Sequence, residues 1–353
     1  MSGITFDPLA PIMSPSVHLP HYKLLESPNS RSILIGRWKI TAQTNPISNQ
    51  GESDHLQNQL GDEEGTGIPL PEMCFGNNLL KLEWREAGFL KDHDKESKVS
   101  SDTEDDLDAD GDTWMYQFDT LHALLGVKKG QMEDGDGGVK VEYADKWMKS
   151  RSGPSPLLPM PKTVPTKPYD WTYTTTYPGH CSATASSKSD SPSSHWLPAN
   201  PTIPSQIIPL SELTRPDPIL FYAEVPLFED ELHDNGSSGV IVRLRVMPTC
   251  IFILARFTLR VDGVLFRTFD TRIYSSLERD LQNKTPIVIR ETSGWEAPYE
   301  SIKVRLPTRT DLTPLTDPGW IAKILTELPS SQTNGAGTGW RGLGKKCEWI
   351  SVS

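Results

Sequence analysis

Apolar and polar positions divide the chain into short patterned stretches separated by long polar or proline-rich ones. SILIGRWKIT (32–41) reads as a first strand. After a polar loop, LPEMCFGNNLLKLEW (70–84) reads as a turn followed by a second strand. The apolar spacing in WMYQFDTLHALLGV (114–127) starts a short helix, with Asp119 placed to cap it. VEYADKWMK (141–149) reads as a strand passing into a helix, and the aromatic and β-branched YDWTYTTTY (169–177) as a strand. The clearest pattern lies between 219 and 274, in ILFYAEVPLF, IVRLRVMP (241–248), IFILARFTLRV (251–261) and VLFRTFDTRIY (264–274). Asp262-Gly263 joins the last two as a two-residue hairpin turn. That turn predicts a register with Val261 opposite Val264, Leu259 opposite Phe266, Phe257 opposite Thr268 and Ala255 opposite Asp270. One face is then apolar until it reaches Asp270. The other carries Arg256, Arg260 and Arg267 among Leu254, Leu265 and Phe269, and is open to water or a partner. GWIAKILTEL (319–328) reads as a late helix. Hairpins with few helical patterns between them predict an α+β fold of antiparallel sheets flanked by short helices.

The unpatterned stretches set the expected organisation. Residues 1–30 read as a disordered extension and 31–330 as a single domain, with inserts at about 91–112 and 180–206. Residues 331–353 read as a C-terminal loop or tail. Thirty prolines in 353 residues agree with so much loop. The net charge of -11 sharpens the picture of the first insert: residues 86–112 hold 11 acids against three lysines. The acidity therefore belongs to one segment, and an acidic chain is a poor match for nucleic-acid phosphates. No apolar run is long enough for a membrane span, and no secretory leader precedes the first strand. Four scattered cysteines, without a CxxC pair, fit a reducing compartment, hence a cytoplasmic location with the nucleus as a second one.

Candidate chemistry is sparse. EVPLFEDELHDNG (224–236) places Glu229, Asp230, Glu231, His233 and Asp234 within six positions, a density that suggests metal or acid/base work. A hydrolytic metal centre draws ligands from several segments, and no HxH or HExxH accompanies this one, so a strand end capped by acids and followed by a turn explains it better. DLDADGDTWMYQ (106–117) begins like a calcium loop but offers Gln117 where a bidentate glutamate belongs. GTGWRG (337–342) satisfies GxGxxG but lies 11 residues from the chain end, with no room for a βαβ unit. No GxSxG elbow or P-loop is present, so nothing demands an enzyme, and no cofactor or metal is expected. Asp270 differs in kind. A carboxylate on an apolar face must be paired, and Arg272, two residues on, is the expected partner; the pair either closes a strand end or meets a binding partner.

Several blocks taken together resemble a known family. IGRWKITA (35–42), LPEMCFGNNLLKLEW (70–84), KPYDWTYTTTY (167–177), LFEDELHDNG (227–236), RVMP (245–248) and RVDGVLFRTFDTRIY (260–274) follow the order found in the TIPRL family, the TOR signalling pathway regulator-like proteins. A weaker echo lies in IVIRETSGWEAPYESIK (287–303). The extensions and inserts look like those of a fungal-type member. The resemblance implies a non-enzymatic regulator in TOR signalling. It would bind the catalytic subunit of type 2A-like protein phosphatases, including its C-terminal tail, and oppose its activity or holoenzyme assembly. The adaptor Tap-forty-two is a further implied partner, and a scaffold that binds the adaptor alone is the alternative. A metal-dependent hydrolase using Glu229, Glu231 and His233 is the reading from another class. By resemblance, segments matching Asp270, Ile208 and the short helix at His122 contribute to phosphatase binding, although an aspartate is usual where this chain has His122. Trp171, Tyr173 and Tyr177 lie on one side of an extended strand and either line a groove for the tail or belong to the core.

Overall fold

The computed structural model describes residues 19–59, 70–89, 113–129, 139–142, 172–183, 196–231, 236–282, 284–328 and 345–352. Its architecture is α+β, with two large antiparallel sheets and a few short helices. The first sheet has six strands in the order β1-β2-β3-β5-β6-β9. These are β1 (Tyr22–Ser27), β2 (Ser30–Ile35), β3 (Trp38–Gln43), β5 (Leu79–Arg85), β6 (Thr113–Asp119) and β9 (His180–Ala183). The second has eight, in the order β10-β16-β15-β14-β13-β12-β11-β4. They are β10 (Leu197–Pro198), β16 (Lys346–Ser351), β15 (Ile287–Pro298), β14 (Leu265–Ser276), β13 (Cys250–Val261), β12 (Gly236–Val246), β11 (Phe221–Asp230) and β4 (Met73–Cys74). β7 (Val139–Glu142) and β8 (Thr172–Thr175) form a separate ribbon.

Alternation along the strands explains the layering. In β3 every second residue is buried, so Trp38, Ile40 and Ala42 turn inward. They join Ile33, Ile35, Leu80, Leu82, Tyr116 and Phe118 in one buried cluster that also contains Val225, Val242, Ile253, Phe257 and Ile273 of the second sheet. The two sheets therefore face each other across a common core. A bulge in β11 between Pro226 and Phe228 lets the consecutive residues Leu227 and Phe228 both reach it.

The outer face of the eight-stranded sheet is covered at its two ends. At one end lie α4 (Tyr299–Lys303), the turn Thr313–Thr316 and α5 (Pro318–Glu327), whose Ile302, Leu315, Ile321 and Leu325 enclose Phe266. At the other, Ile208 packs with Met247, Cys250, Tyr274 and Ile289. This end is reached by the turn Pro204–Gln206 and by α3 (Leu210–Leu213), whose Glu212 accepts a 2.6 Å hydrogen bond from the Tyr274 hydroxyl.

The central hairpin departs from the expected register. Val261 pairs with Leu265, and Val264 donates its N–H to Val261 O at 2.9 Å, so the loop has three residues. Gly263, at φ 71°, supplies the left-handed position that such a loop requires. One added residue turns β14 over relative to β13. Asp270 therefore stands opposite Arg256 rather than Ala255, and Phe266 opposite Arg260. Leu265, Arg267 and Phe269 turn instead to the face of Val261, Leu259 and Phe257, away from Arg256 and Arg260.

Other boundaries shift as well. SILIGRWKIT is two strands joined at Gly36, and residues 22–27, assigned to an unordered extension, form β1. WMYQFD is strand, and α2 (Thr120–Lys129) begins only after its cap Asp119. β9, β10 and the turn Pro204–Gln206 fall within the stretch read as the second insert, and β16 within the stretch read as a C-terminal loop or tail. The polar loop after β3 contains α1 (Gln50–Gln59). Residues 91–112, Trp171, and His233 with Asp234 lie outside the described residues.

Candidate functional site: an ionic band on the outer sheet face and a histidine cluster at a sheet edge

Between its two covered ends, the outer face of the large sheet carries charge. Residues directly opposite in neighbouring strands share a face, so two rows can be read across it. One runs Glu224, Arg243, Leu254, Arg272, Glu291 and Cys347; the next runs Pro226, Ile241, Arg256, Asp270 and Ser293. Arg256 grips Asp270 through two parallel bonds, Nε to Oδ1 at 2.7 Å and Nη2 to Oδ2 at 2.8 Å. This fork-to-fork geometry is the strongest arrangement available to such a pair. Burial works against the Arg256 charge, but Asp270 more than offsets it, so the guanidinium is held above its usual range. Arg272 lies 3.8 Å from Asp270 and donates at 3.1 Å to Glu291, which also takes Lys345 at 2.7 Å.

The expected Asp270–Arg272 pair is thus corrected. Arg256 is the main partner of Asp270, because the three-residue loop brings it directly opposite. The Asp270 side chain is 1% exposed, while that of Arg272 is 29% exposed. Of the two, Arg272 is the one a macromolecule can touch. Ile208 is likewise covered, at the edge of the same face. Exposed apolar groups flank this region. Tyr222 lies in the cross-strand row of Arg245, Phe252 and Tyr274, and Leu210 is on the helix that bonds Tyr274.

The other candidate residues collect at the junction of β6, α2 and β9. Asp119 ends β6 and accepts the His122 N–H at 2.8 Å, capping α2. Its carboxylate also meets His122 Nδ1 at 2.9 and 3.0 Å, and accepts from Gln117 Nε2 at 2.6 Å. His180 brings Nε2 to 3.7 Å from Asp119 Oδ2 and bonds the Tyr177 hydroxyl through Nδ1 at 2.8 Å. The chain reaches this position through a sharp bend at Gly179, φ 80°, where a Cβ would stand 2.9 Å from the rings of Phe118 and Tyr116. The Tyr116 hydroxyl donates to the Pro178 carbonyl. Tyr177 is buried against Phe118, and burial followed by the charge of Asp119 raises its pKa well above the usual value.

Tyr177 therefore belongs to the core and does not line an open groove. Tyr173 is placed only by its backbone, opposite Val141. The structure thus joins Asp270, Arg272 and Ile208 on one face, and His122 with Tyr177 at another place. Sequence reading missed Arg256, Glu291 and His180 as members of these groups. For Arg256 the Asp262-Gly263 turn suits two loop lengths and so does not decide the register; for His180 no local signal exists, since it meets Asp119 only through the β6–β9 pairing. In the acidic stretch at the end of β11, Asp230 is buried and accepts the Glu72 N–H at 3.1 Å, a structural bond at the strand end.

Comparison with known proteins adds the family. The model of the TIP41-like family matches residues 101–303. The Type 2A phosphatase activator TIP41 of Saccharomyces cerevisiae is 34% identical, over 88% of this chain and 75% of its own length. The TIP41-like protein of Homo sapiens is 32% identical, over 77% and 79% respectively. The Type 2A phosphatase activator tip41 of Schizosaccharomyces pombe is 29% identical, over 82% and 91%. The blocks that first suggested the resemblance agree with these matches: the chain belongs to the TIP41-like family.

Proposed function

We propose that the chain is a non-enzymatic regulator that binds the catalytic subunit of a type 2A-like protein phosphatase, its C-terminal tail included. The observation that carries this reading is the family membership, since two fungal relatives are named type 2A phosphatase activators. The ionic band on the outer sheet face supplies the docking surface. Arg272 is its accessible cation, Asp270 and Glu291 hold that cation in place, and Tyr222 and Leu210 provide apolar contact. Arginine and tyrosine are enriched in binding hot spots. Asp270 acts by positioning, not by contact.

The resemblance implies that binding opposes phosphatase activity or holoenzyme assembly in TOR signalling, whereas the names of the fungal relatives say activator. Direct binding underlies both. The test is to mix the purified chain with the purified catalytic subunit alone, and separately with the Tap-forty-two adaptor alone, and follow comigration by size exclusion. Comigration with the catalytic subunit alone is the expected result. Comigration with the adaptor only replaces this reading by a scaffold role. Turnover of a phosphopeptide by the complex then gives the sign: a fall supports opposition, and a rise supports activation.

A further inference from the structure

Asp119, His122 and His180 each offer a ligand atom, and these atoms all lie within 4.8 Å of one another. Two imidazoles and one carboxylate are a donor set for zinc and related transition metals, unlike the all-oxygen sets that suit calcium or magnesium. We propose that Asp119, His122 and His180 form a binding site for a divalent transition-metal ion of the zinc type. The site goes beyond the phosphatase reading and does not depend on it.

The spacing supports the assignment. Two ligands on a tetrahedral zinc with bonds of about 2.0–2.1 Å stand roughly 3.3 Å apart. Asp119 lies 2.9 Å from His122 Nδ1 and 3.7 Å from His180 Nε2, on either side of that value. The two imidazole rings lie side by side, with centroids 3.8 Å apart and planes at 31°. Coordination requires them to splay slightly. His122, with 42% of its side chain exposed, has the room to do so.

The surroundings are those of an oriented ligand set. A metal-bound histidine ordinarily gives its other ring nitrogen to a hydrogen-bond partner, which fixes the tautomer. Tyr177 is that partner for His180: its hydroxyl meets Nδ1 at 2.8 Å, leaving Nε2 directed at Asp119. Gln117 holds Asp119 Oδ2 at 2.6 Å, and the His122 N–H holds Oδ1 at 2.8 Å. On binding, His122 Nδ1 exchanges its contact with Asp119 for the metal, and the ring binds as neutral imidazole with its proton on Nε2. With three protein ligands, the fourth position falls to water or to an oxygen or nitrogen of a partner, because the His122 side faces outward. The ion would tie the start of α2 to β9, two elements otherwise linked through the β6–β9 ladder.

The test is calorimetric titration of tag-free, chelator-treated full-length chain with Zn²⁺, repeated with Co²⁺ to record the visible absorption of a tetrahedral centre. Wild-type protein is expected to take up one equivalent with micromolar affinity or better. His122→Ala, an exposed position whose replacement leaves the core intact, is expected to weaken binding at least tenfold, and His180→Ala likewise. Cys181→Ser is the control for a competing thiol next to His180, and is expected to leave affinity unchanged. Absence of saturable binding near one equivalent overturns the proposal. So does a loss smaller than tenfold in His122→Ala, or a loss in Cys181→Ser as large as in the histidine variants. No phosphatase enters this experiment, so its result is separate from that of the binding test.

Discussion

Asp270 and Asp119 are both buried carboxylates with several partners, and they are held in different ways. Asp270 sits mid-sheet, clasped by the Arg256 fork with Arg272 beyond. Its partners carry a permanent positive charge, so the carboxylate and its neighbours form a fixed unit. Asp119 ends a strand and is held by a helix N–H, an amide and two imidazoles. Imidazole nitrogens, unlike guanidinium groups, can also act as metal ligands. One buried acid is therefore locked between guanidinium groups, while the other is held by neutral donors and two imidazole rings.

The largest expected effect tests the committed side. Arg256→Ala leaves Asp270 buried beside the more distant Arg272 alone, and removing one member of a buried pair costs about 3–5 kcal/mol. Urea unfolding measures it, and a loss below about 1 kcal/mol would erase the distinction between the two acids. Asp119→Ala removes a helix cap and is expected to cost about 1 kcal/mol. A cost equal to that of Arg256→Ala would make Asp119 as structural as Asp270.

A third carboxylate gives a pH-dependent comparison. Burial raises the Glu348 pKa, but Lys346 and Arg290 outweigh it, so the carboxyl titrates below its ordinary value of 4.5. A depressed folded pKa adds stability above the ordinary value, and that stability is lost as pH falls through the folded value. The stability gap between wild type and Glu348→Gln is therefore expected to be present at neutral pH and to shrink under acid, by urea midpoints measured on either side of 4.5. A gap independent of pH would remove Glu348 from the set of charge-paired acids. The smallest effect belongs to the exposed Arg243–Glu224 pair, joined at 2.9 Å with both side chains more than a third exposed. Arg243→Ala is expected to change stability by less than about 1 kcal/mol.

Much of this contrast was legible in the sequence, and the rest had identifiable reasons to be hidden. The strands between 219 and 274 are marked by apolar and β-branched runs, and the structure places β11 to β14 there. Asp119 was recognisable as a cap because the helical pattern begins just after it. The partner of Asp270 was not, because Asp262-Gly263 suits both a two-residue and a three-residue loop, and one residue decides which face a side chain takes. α1 was missed although Asn49 and Glu52 carry its signal. The Asn49 side chain accepts the Glu52 N–H at 3.1 Å and Glu52 returns a bond to the Asn49 N–H at 2.9 Å, a reciprocal cap inside a polar stretch. β16 lies beyond a glycine-rich run and is fixed by pairing with β15, a long-range contact that no local pattern encodes.

The most direct measurement of the central claim is the affinity of the full chain for a purified type 2A-like catalytic subunit, for wild type and Arg272→Ala. The substitution leaves Asp270 with Arg256 and Glu291 with Lys345, so the fold is expected to survive. A docking surface built around Arg272 predicts saturable one-to-one binding by the wild type and at least a tenfold weakening, about 1.4 kcal/mol, in the variant. No binding by the wild type, or equal affinity in a folded Arg272→Ala protein, would contradict it.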